Sequence, residues 1–580
     1  MGSPYHIDGT TSRLFPDRTS AQYAALSHIT KSFAHPQRTF LAVFVQKAIN
    51  PEHASRFFLD QVVGKDQVAI SEFLADWTAL VRKVQPLLCK ELNEPLKRQI
   101  LDREGGQCCV SQIRLYDEHG PRPLFACILA PSLFEILETN ENARFRGLLE
   151  AYVGEATLQK LTLLAVQSRQ SAPQYAPEQL VTFSPQIFDH FANGRLSLRK
   201  VLPQTSTSAR YFVETNELIP SKQVGNFRFI TLENKSVEPV NLPNTLYFET
   251  HNRFADALAW LEVLDYMKTP NRMKQRSEPQ DTPLSDVGGR TKNSNRWYNS
   301  VVITVLRSLW TCAPLPFRAW VYEKMASVSV KTFGYTGSDR IFRLPFNLYL
   351  RKAEIGWAAK HRAEFETLRL LETHTQVPAP RGLDVIQYRD NSFLLMTGVN
   401  GEGLGRRLAT LTDSQVDSIV LDLQQYTAEI RSIPRNISSD FQICNSLGSG
   451  ILDWRISNSQ REPLKFQSEE AFNRYLTNGL AIAAEDKTIL RKAHNIQHKI
   501  VFSHADINMR NVLIDENGRI SGIVDWECAG WYPEYWEYTK MHFGARFTPR
   551  WIADVIDQIF PGYREELCAE DILAASAPPW

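Results

Sequence analysis

Apolar residues recur at helical spacing most clearly over Thr412–Arg431. There Val416, Ile419, Val420, Leu423, Tyr426 and Ile430 share one face, and Thr412 with Gln415 forms a capping box. A second helix is expected over Lys360–Thr373, ended by the prolines of Val377–Pro380, which cannot continue it. Shorter apolar runs predict strands at Ser392–Thr397, Val501–Ser503, Val512–Ile514 and Ile520–Val524. The last two are joined by the polar turn Glu516-Asn517-Gly518-Arg519 and read as a hairpin. Upstream, Trp297–Ser327 reads as a helical approach broken at Pro314 and Pro316. The stretch from Val328 to Lys352 then reads as a strand, a glycine turn and further strands.

The pattern fails over Lys268–Arg296, which is rich in Pro, Gly, Ser, Asn and charge and nearly free of large apolar side chains. Such a segment buries too little surface to offset its ordering entropy and reads as a linker. It divides the chain into an N-terminal α+β domain (residues 1–267), the linker (268–296) and a C-terminal domain (297–580). At 580 residues the chain is too long for one core, which agrees with this division. A formal net charge of +1 points away from nucleic acid and from an anionic membrane surface. The longest apolar run, Val301–Leu309, is interrupted by Thr304 and Arg307, so no membrane partner is expected. The eight cysteines are scattered without a CxxC pair, and the first residues carry no apolar signal core. Free thiols in a reducing, cytoplasmic compartment are the expectation.

Candidate chemistry concentrates in Val501–Lys540. His504, Asp506 and Asn511 form a His-x-Asp-x-x-x-x-Asn cluster on a loop between strands, and Asp525 ends the third strand. The hairpin lets Asn511 and Asp525 face one Mg²⁺, an ion that takes oxygen ligands, including one or two carboxylates, plus substrate phosphates. Asp506, five residues before Asn511, has the spacing of a kinase catalytic loop and can accept the proton of an attacking hydroxyl. His504 is the candidate that orients this loop.

The sequence resembles the aminoglycoside phosphotransferase-like kinases, a branch of the protein-kinase-like fold, and within it a fungal phosphotransferase group. The residues that carry the likeness are Ile341–Lys352, Glu366–Val385, Phe393–Leu408, Ile443–Ile456 and Val501–Lys540, in the family's order. The resemblance implies a bilobal kinase-like fold, ATP and Mg²⁺ as cofactors, and a small-molecule hydroxyl as acceptor. It also implies a glycine loop over the nucleotide with Gly334 and Gly337, and a hinge beside the adenine at Met396–Val399. The family's phosphate-binding lysine falls at or beside Arg351, which is followed by Lys352. Because strand side chains alternate faces, only one of the two can point inward. Glu364, with Glu366 as runner-up, is the expected helix partner of that cation. If Arg351 points inward, a pseudokinase or binding module without turnover is the alternative function. Glu527 is a candidate contact for a substrate amine, and the aromatic residues from Trp526 to Trp536 are expected in the core.

In the N-terminal half, Leu101–Gln112, Ala126–Leu137 and Phe183–Arg199 resemble a fungal HNH-nuclease-type domain. The family's two histidines, one activating water and one binding metal, fall at Cys127 and Phe188, and His190 lies two residues late. The resemblance therefore implies a degenerate relative kept for packing or binding, with an unrelated α+β domain as the alternative. Cys108 and Cys109 lack a second pair for a zinc site.

Overall fold

The computed structural model describes residues 19–268 and 307–576, apart from residues 90, 116–120, 139–142, 171–174, 202–204, 206, 217, 219–227, 238–239, 335–337, 545–548 and 561. All of the expected linker (268–296) beyond residue 268, and the candidate Gly337, lie outside the described residues. The chain divides into two compact units, one within Phe15–Pro279 and one within Gln280–Trp580.

In the first unit, the helices Gln37–Gln46, Pro51–Val62, Gln67–Val84, Ala143–Val153 and Thr245–Met267 surround an aromatic core. Trp77, Phe44, Tyr152 and Phe254 are fully buried there. The Trp77 indole N–H donates to the Phe40 carbonyl at 3.2 Å, and the Tyr152 hydroxyl donates to the Arg253 carbonyl at 2.8 Å. Each large ring thus has its polar handle satisfied, as burial demands. Two three-stranded antiparallel sheets complete the unit. One runs Leu87–Leu88, Leu124–Cys127, Leu180–Phe183; the other runs Leu196–Lys200, Ser208–Thr215, Phe229–Glu233.

The second unit opens with helix α1 (Leu315–Phe333) and strands β1 (Ile341–Leu344) and β2 (Leu348–Glu354). Helix α2 (Ala358–His374) and strands β3 (Gly382–Tyr388) and β4 (Asn391–Thr397) follow. The four strands form one antiparallel sheet in the order β1-β2-β4-β3. Helix α3 (Asp413–Arg431) leads to helix α4 (Glu469–Thr477), then strands β5 (Ile500–Ser503), β6 (Val512–Ile514) and β7 (Ile520–Ile523). Helices α5 (Trp536–Gly544) and α6 (Arg564–Ser576) close the unit. The hairpin pairs Val512 with Ile523 and Leu513 with Gly522. The capping box of Thr412 and Gln415 is present at the start of α3. The aromatic residues Trp526, Trp531, Tyr532 and Trp536 are all buried.

One expectation is corrected. Val328–Phe333 is the last part of α1, not a strand, and Pro316 sits in the helix's first turn instead of breaking it. Pro is tolerated there because that N–H has no intrahelical partner. The buried face, Ala319, Tyr322, Ala326 and Ser329, has helical spacing and overrides the short Val-Ser-Val alternation. Gly334 is consequently the C-cap of α1, at φ 75°.

Candidate functional site

The loop after β5 begins with a backbone constraint. Ala505 is fully buried and sits at φ 61°, where L side chains are uncommon. Glu537, the second residue of α5, holds the turn from behind. Its carboxylate accepts the Ala505 N–H at 2.9 Å and the Ile507 N–H at 3.3 Å. His504 is fully buried, and its ring Nε2 donates to the Val524 carbonyl at 3.0 Å. Its Nδ1 accepts the Asp506 N–H at 3.2 Å. With both nitrogens bonded to backbone, the imidazole ties the loop to the end of β7.

Asp506 thereby projects from a rigid turn. Asn511 donates from Nδ2 to the Asp506 carboxylate at 3.0 Å and to its carbonyl at 2.9 Å. Asn508 donates to the same carbonyl at 3.1 Å. Burial raises the Asp506 carboxyl above its ordinary pKa; His504 and Lys540 pull it down, and Asp525 pushes it up as a like charge. Lys540 is itself buried and pairs with Asp453 at 2.8 Å, and Asp453 also accepts from the Trp536 indole at 3.1 Å.

Asp525 follows β7 at φ 69°, a left-handed conformation that turns the chain sharply out of the strand. It meets Arg351 of β2. The guanidinium donates from Nη2 to the Asp525 carboxylate and from Nη1 to Glu527 at 2.7 Å. Glu364 of α2 lies 3.3 Å from Nη2. Lys352, one residue on, faces the other side of the sheet and pairs with Glu323 of α1 at 2.5 Å. The alternation thus places Arg351 with the acidic cluster, and it selects Glu364 over Glu366 as the ion partner.

Burial opposes the Arg351 charge, but Glu364, Asp525 and Glu527 outweigh it and hold the guanidinium above its ordinary pKa. Burial pushes Glu364 up to about 8 despite the nearby arginine, with Glu527 and Asp525 adding to the rise. The Arg351 Nε and the Glu364 Oε2 are buried without a hydrogen-bond partner.

The expected hinge is bound to the β1–β2 turn. Gly398 donates to the Asn347 carbonyl at 2.6 Å, and the Asn347 amide donates back to the Gly398 carbonyl at 3.1 Å. Met396 is buried in β4 opposite Tyr349. Val399 packs on Gly522 so closely that a Cβ there would lie 2.3 Å from its methyl carbon. This glycine lets the hinge approach the β6–β7 hairpin. Gly334 lies at the end of α1, with open space around it.

Reading the sequence did not find Glu537, Trp454 or Lys540. Glu537 sits 31 residues beyond Asp506, in an aromatic run whose core packing masks it. Its only signal is an acidic residue inside an otherwise buried stretch. Glu527, expected against a substrate amine, instead bonds Arg351 and the Trp454 indole, the latter at 3.2 Å.

In the first unit, Cys127 lies 3.1 Å from the Cys89 sulfur, and Phe188 packs on Phe183. Among the described residues no group of three or more His, Cys, Asp or Glu is arranged to hold a metal. None of the eight cysteines is in a disulfide, and six are buried. No described helix is long and apolar enough to cross a membrane.

No curated protein matches the chain in sequence. Several solved antibiotic phosphotransferases are similar at low identity. A thermostable mutant of aminoglycoside phosphotransferase APH(4)-Ia is 13% identical, covering 44% of this chain and 99% of that one with a TM-score of 0.27. APH(3'')-Id from Streptomyces rimosus, in complex with ADP and streptomycin, is 15% identical over 41% of this chain and 91% of that one, TM-score 0.29. Macrolide 2'-phosphotransferase MphH from Brachybacterium faecium is 14% identical over 44% and 89%, TM-score 0.28. Residues 333–567, which hold every member of the cluster around Asp506 and Arg351, match the phosphotransferase enzyme family, APH.

Proposed function

We propose that the C-terminal unit is an ATP- and Mg²⁺-dependent phosphotransferase that moves the γ-phosphoryl group to a hydroxyl of a small molecule. The observation that carries the reading is the convergence, in one unit, of Asp506 with Asn511 bonded to it, the Val524 N–H donating to the Asn511 carbonyl at 2.9 Å just before Asp525, and Arg351 paired with Asp525 and Glu364. The family match over 333–567 supports the same class. Phosphoryl transfer asks mainly for positioning and charge neutralisation, which is what such an arrangement supplies.

The residues fit the cofactors. Asn511 commits its amide nitrogen to Asp506, which leaves its oxygen as the ligand atom, and Asp525 commits one oxygen to Arg351. Those two side chains would hold Mg²⁺, which when bound neutralises phosphate charge. Arg351 would bind the nucleotide phosphates. Met396 and Val399 would border the adenine, and Gly334 with Gly337 would begin the loop over the phosphates. Asp506 orients the acceptor hydroxyl and takes its proton at a carboxylate oxygen. His504 positions the loop that carries Asp506.

A second reading is favoured by one observation. Arg351, not a lysine, faces the cluster and already pairs with Asp525. A nucleotide-binding module without turnover would keep that pair closed. The six buried thiols, none in a disulfide, fit a reducing, cytoplasmic setting. The N-terminal unit is read as a degenerate HNH-like domain kept for packing or binding.

A phosphate-release screen of the whole chain against hydroxyl-bearing metabolites tests the first reading. Asp506→Ala is expected to abolish turnover, with its circular dichroism melt unchanged within a few degrees. Full activity in that variant would sink the assignment, and nucleotide binding without phosphate release across the panel would favour the second reading.

A further inference from the structure

Arg351 serves three carboxylates, and they are unequally placed. The side chain of Glu364 is 2% exposed, that of Glu527 14% and that of Asp525 36%. Asp525 is therefore the partner within reach of a ligand arriving from solvent, while the other two lie deeper.

Glu527 is held on two sides. Its Oε2 accepts from Arg351 at 2.7 Å, and its Oε1 accepts from the Trp454 indole at 3.2 Å. It sits on the single helical turn Trp526–Cys528, whose two end residues are each 1% exposed. The Trp526 indole anchors that turn by donating to the Ile523 carbonyl at 2.8 Å. Asp525 leads into the same turn and, with one carboxylate oxygen on Arg351, is the most exposed of the three acids. A planar guanidinium with separate Nη groups can keep one carboxylate while releasing another, which a single ammonium point charge does less well.

We propose that Glu527 is a positioning residue: it keeps Arg351 in place when Asp525 is drawn away to a nucleotide-bound divalent cation. The proposal rests on the phosphotransferase reading of this site and adds a residue to it. In the resting chain, Arg351 shares Asp525 and Glu527. On loading, Asp525 turns to the cation, and Glu527 with Glu364 retains the guanidinium. Glu527 thus lowers the cost of freeing Asp525. Without the Glu527 charge, Arg351 holds Asp525 more tightly, and the cation must compete harder for it.

The test is Glu527→Gln in the full chain, with two binding measurements. ATP affinity in EDTA is measured by calorimetry, and the Mg²⁺ requirement by titrating the metal into protein with a fluorescent ATP analogue. The expected result is opposite in sign. Metal-free ATP binds as tightly as in wild type or a few-fold tighter, because one negative charge near the triphosphate is gone. The half-saturating Mg²⁺ concentration rises about tenfold. Glu527→Asp is expected to recover part of that shift. A purely structural role would weaken both measurements together, and that outcome, or an unchanged Mg²⁺ requirement, overturns the proposal. Trp454→Phe, which removes the indole N–H behind Glu527 along with the five-membered ring, should move the Mg²⁺ requirement the same way by about threefold. It serves if Glu527→Gln does not fold. A wild-type chain that binds no nucleotide with or without Mg²⁺ overturns the phosphotransferase reading and this proposal with it. Wild-type binding with an unshifted variant overturns the proposal alone.

Discussion

Ala505 is buried in a left-handed turn, and the Glu537 carboxylate holds that turn through two backbone N–H groups. Replacing one carboxylate oxygen by an amide NH2 leaves one of the two buried N–H donors without an acceptor, at a cost of about 1–3 kcal/mol. Glu537→Gln is expected to cut phosphate release at least tenfold and lower the urea midpoint. Ala505→Gly should keep activity within a few-fold, since glycine adopts positive φ freely. Equal losses in the two variants would show that backbone geometry, and not the Glu537 bond, sets the loop. At this scale the sequence pointed to Asp506, Asn511 and Asp525, because a motif spacing is local. It left Arg351 and Lys352 open, because two adjacent cations look alike without the faces of the strand. Glu323 on α1 resolves the pair by neutralising Lys352 on the far side of the sheet.

Strands and helices bring further groups together. His498, just before β5, lies between Glu469 at the start of α4 and Glu566 in the first turn of α6. Its ring nitrogens are 2.7 and 3.0 Å from the two carboxylates. Burial alone would lower the imidazole pKa, but the two acids outweigh it and hold it at about 9, above the ordinary 6.5. The folded value exceeds the unfolded one. The stabilisation is therefore complete below the unfolded pKa and is lost as pH rises through the folded one. The stability gap between wild type and His498→Gln is expected to shrink by about 2–3 kcal/mol across that window, measured by denaturant melts at several pH values. A constant gap would show that His498 contributes packing only. Elements with strong period were legible in the sequence, α3 with its cap above all. The last part of helix α1 was not, because Val328–Val330 alternates like a strand over too few residues to reveal the longer helical face.

Across the whole chain, each compact unit carries its own buried core, with Trp77, Phe44 and Tyr152 in the first and Trp536, Phe472 and Tyr532 in the second. Trp77→Ala is expected to destabilise the first unit by about 3–5 kcal/mol, the usual cost of emptying such a site. Nucleotide affinity, assigned here to the second unit, should stay within twofold when measured by calorimetry below the melt. A large loss of affinity would show that the two activities of folding and binding are coupled between units. The polar composition of Lys268–Arg296 reads as a linker because it offers too little apolar surface to bury. By itself the sequence determined the spacing of His504, Asp506, Asn511 and Asp525, the helix caps and the strands around the loop, since each is written within a few consecutive residues. Only the tertiary structure decided that Arg351 faces the site, that Glu364 is its helix partner, and that Glu527, Trp454 and Glu537 brace it. Those contacts join residues 13 to 176 positions apart, and burial and charge pairing between folded elements select among chemically similar neighbours in ways no local pattern records.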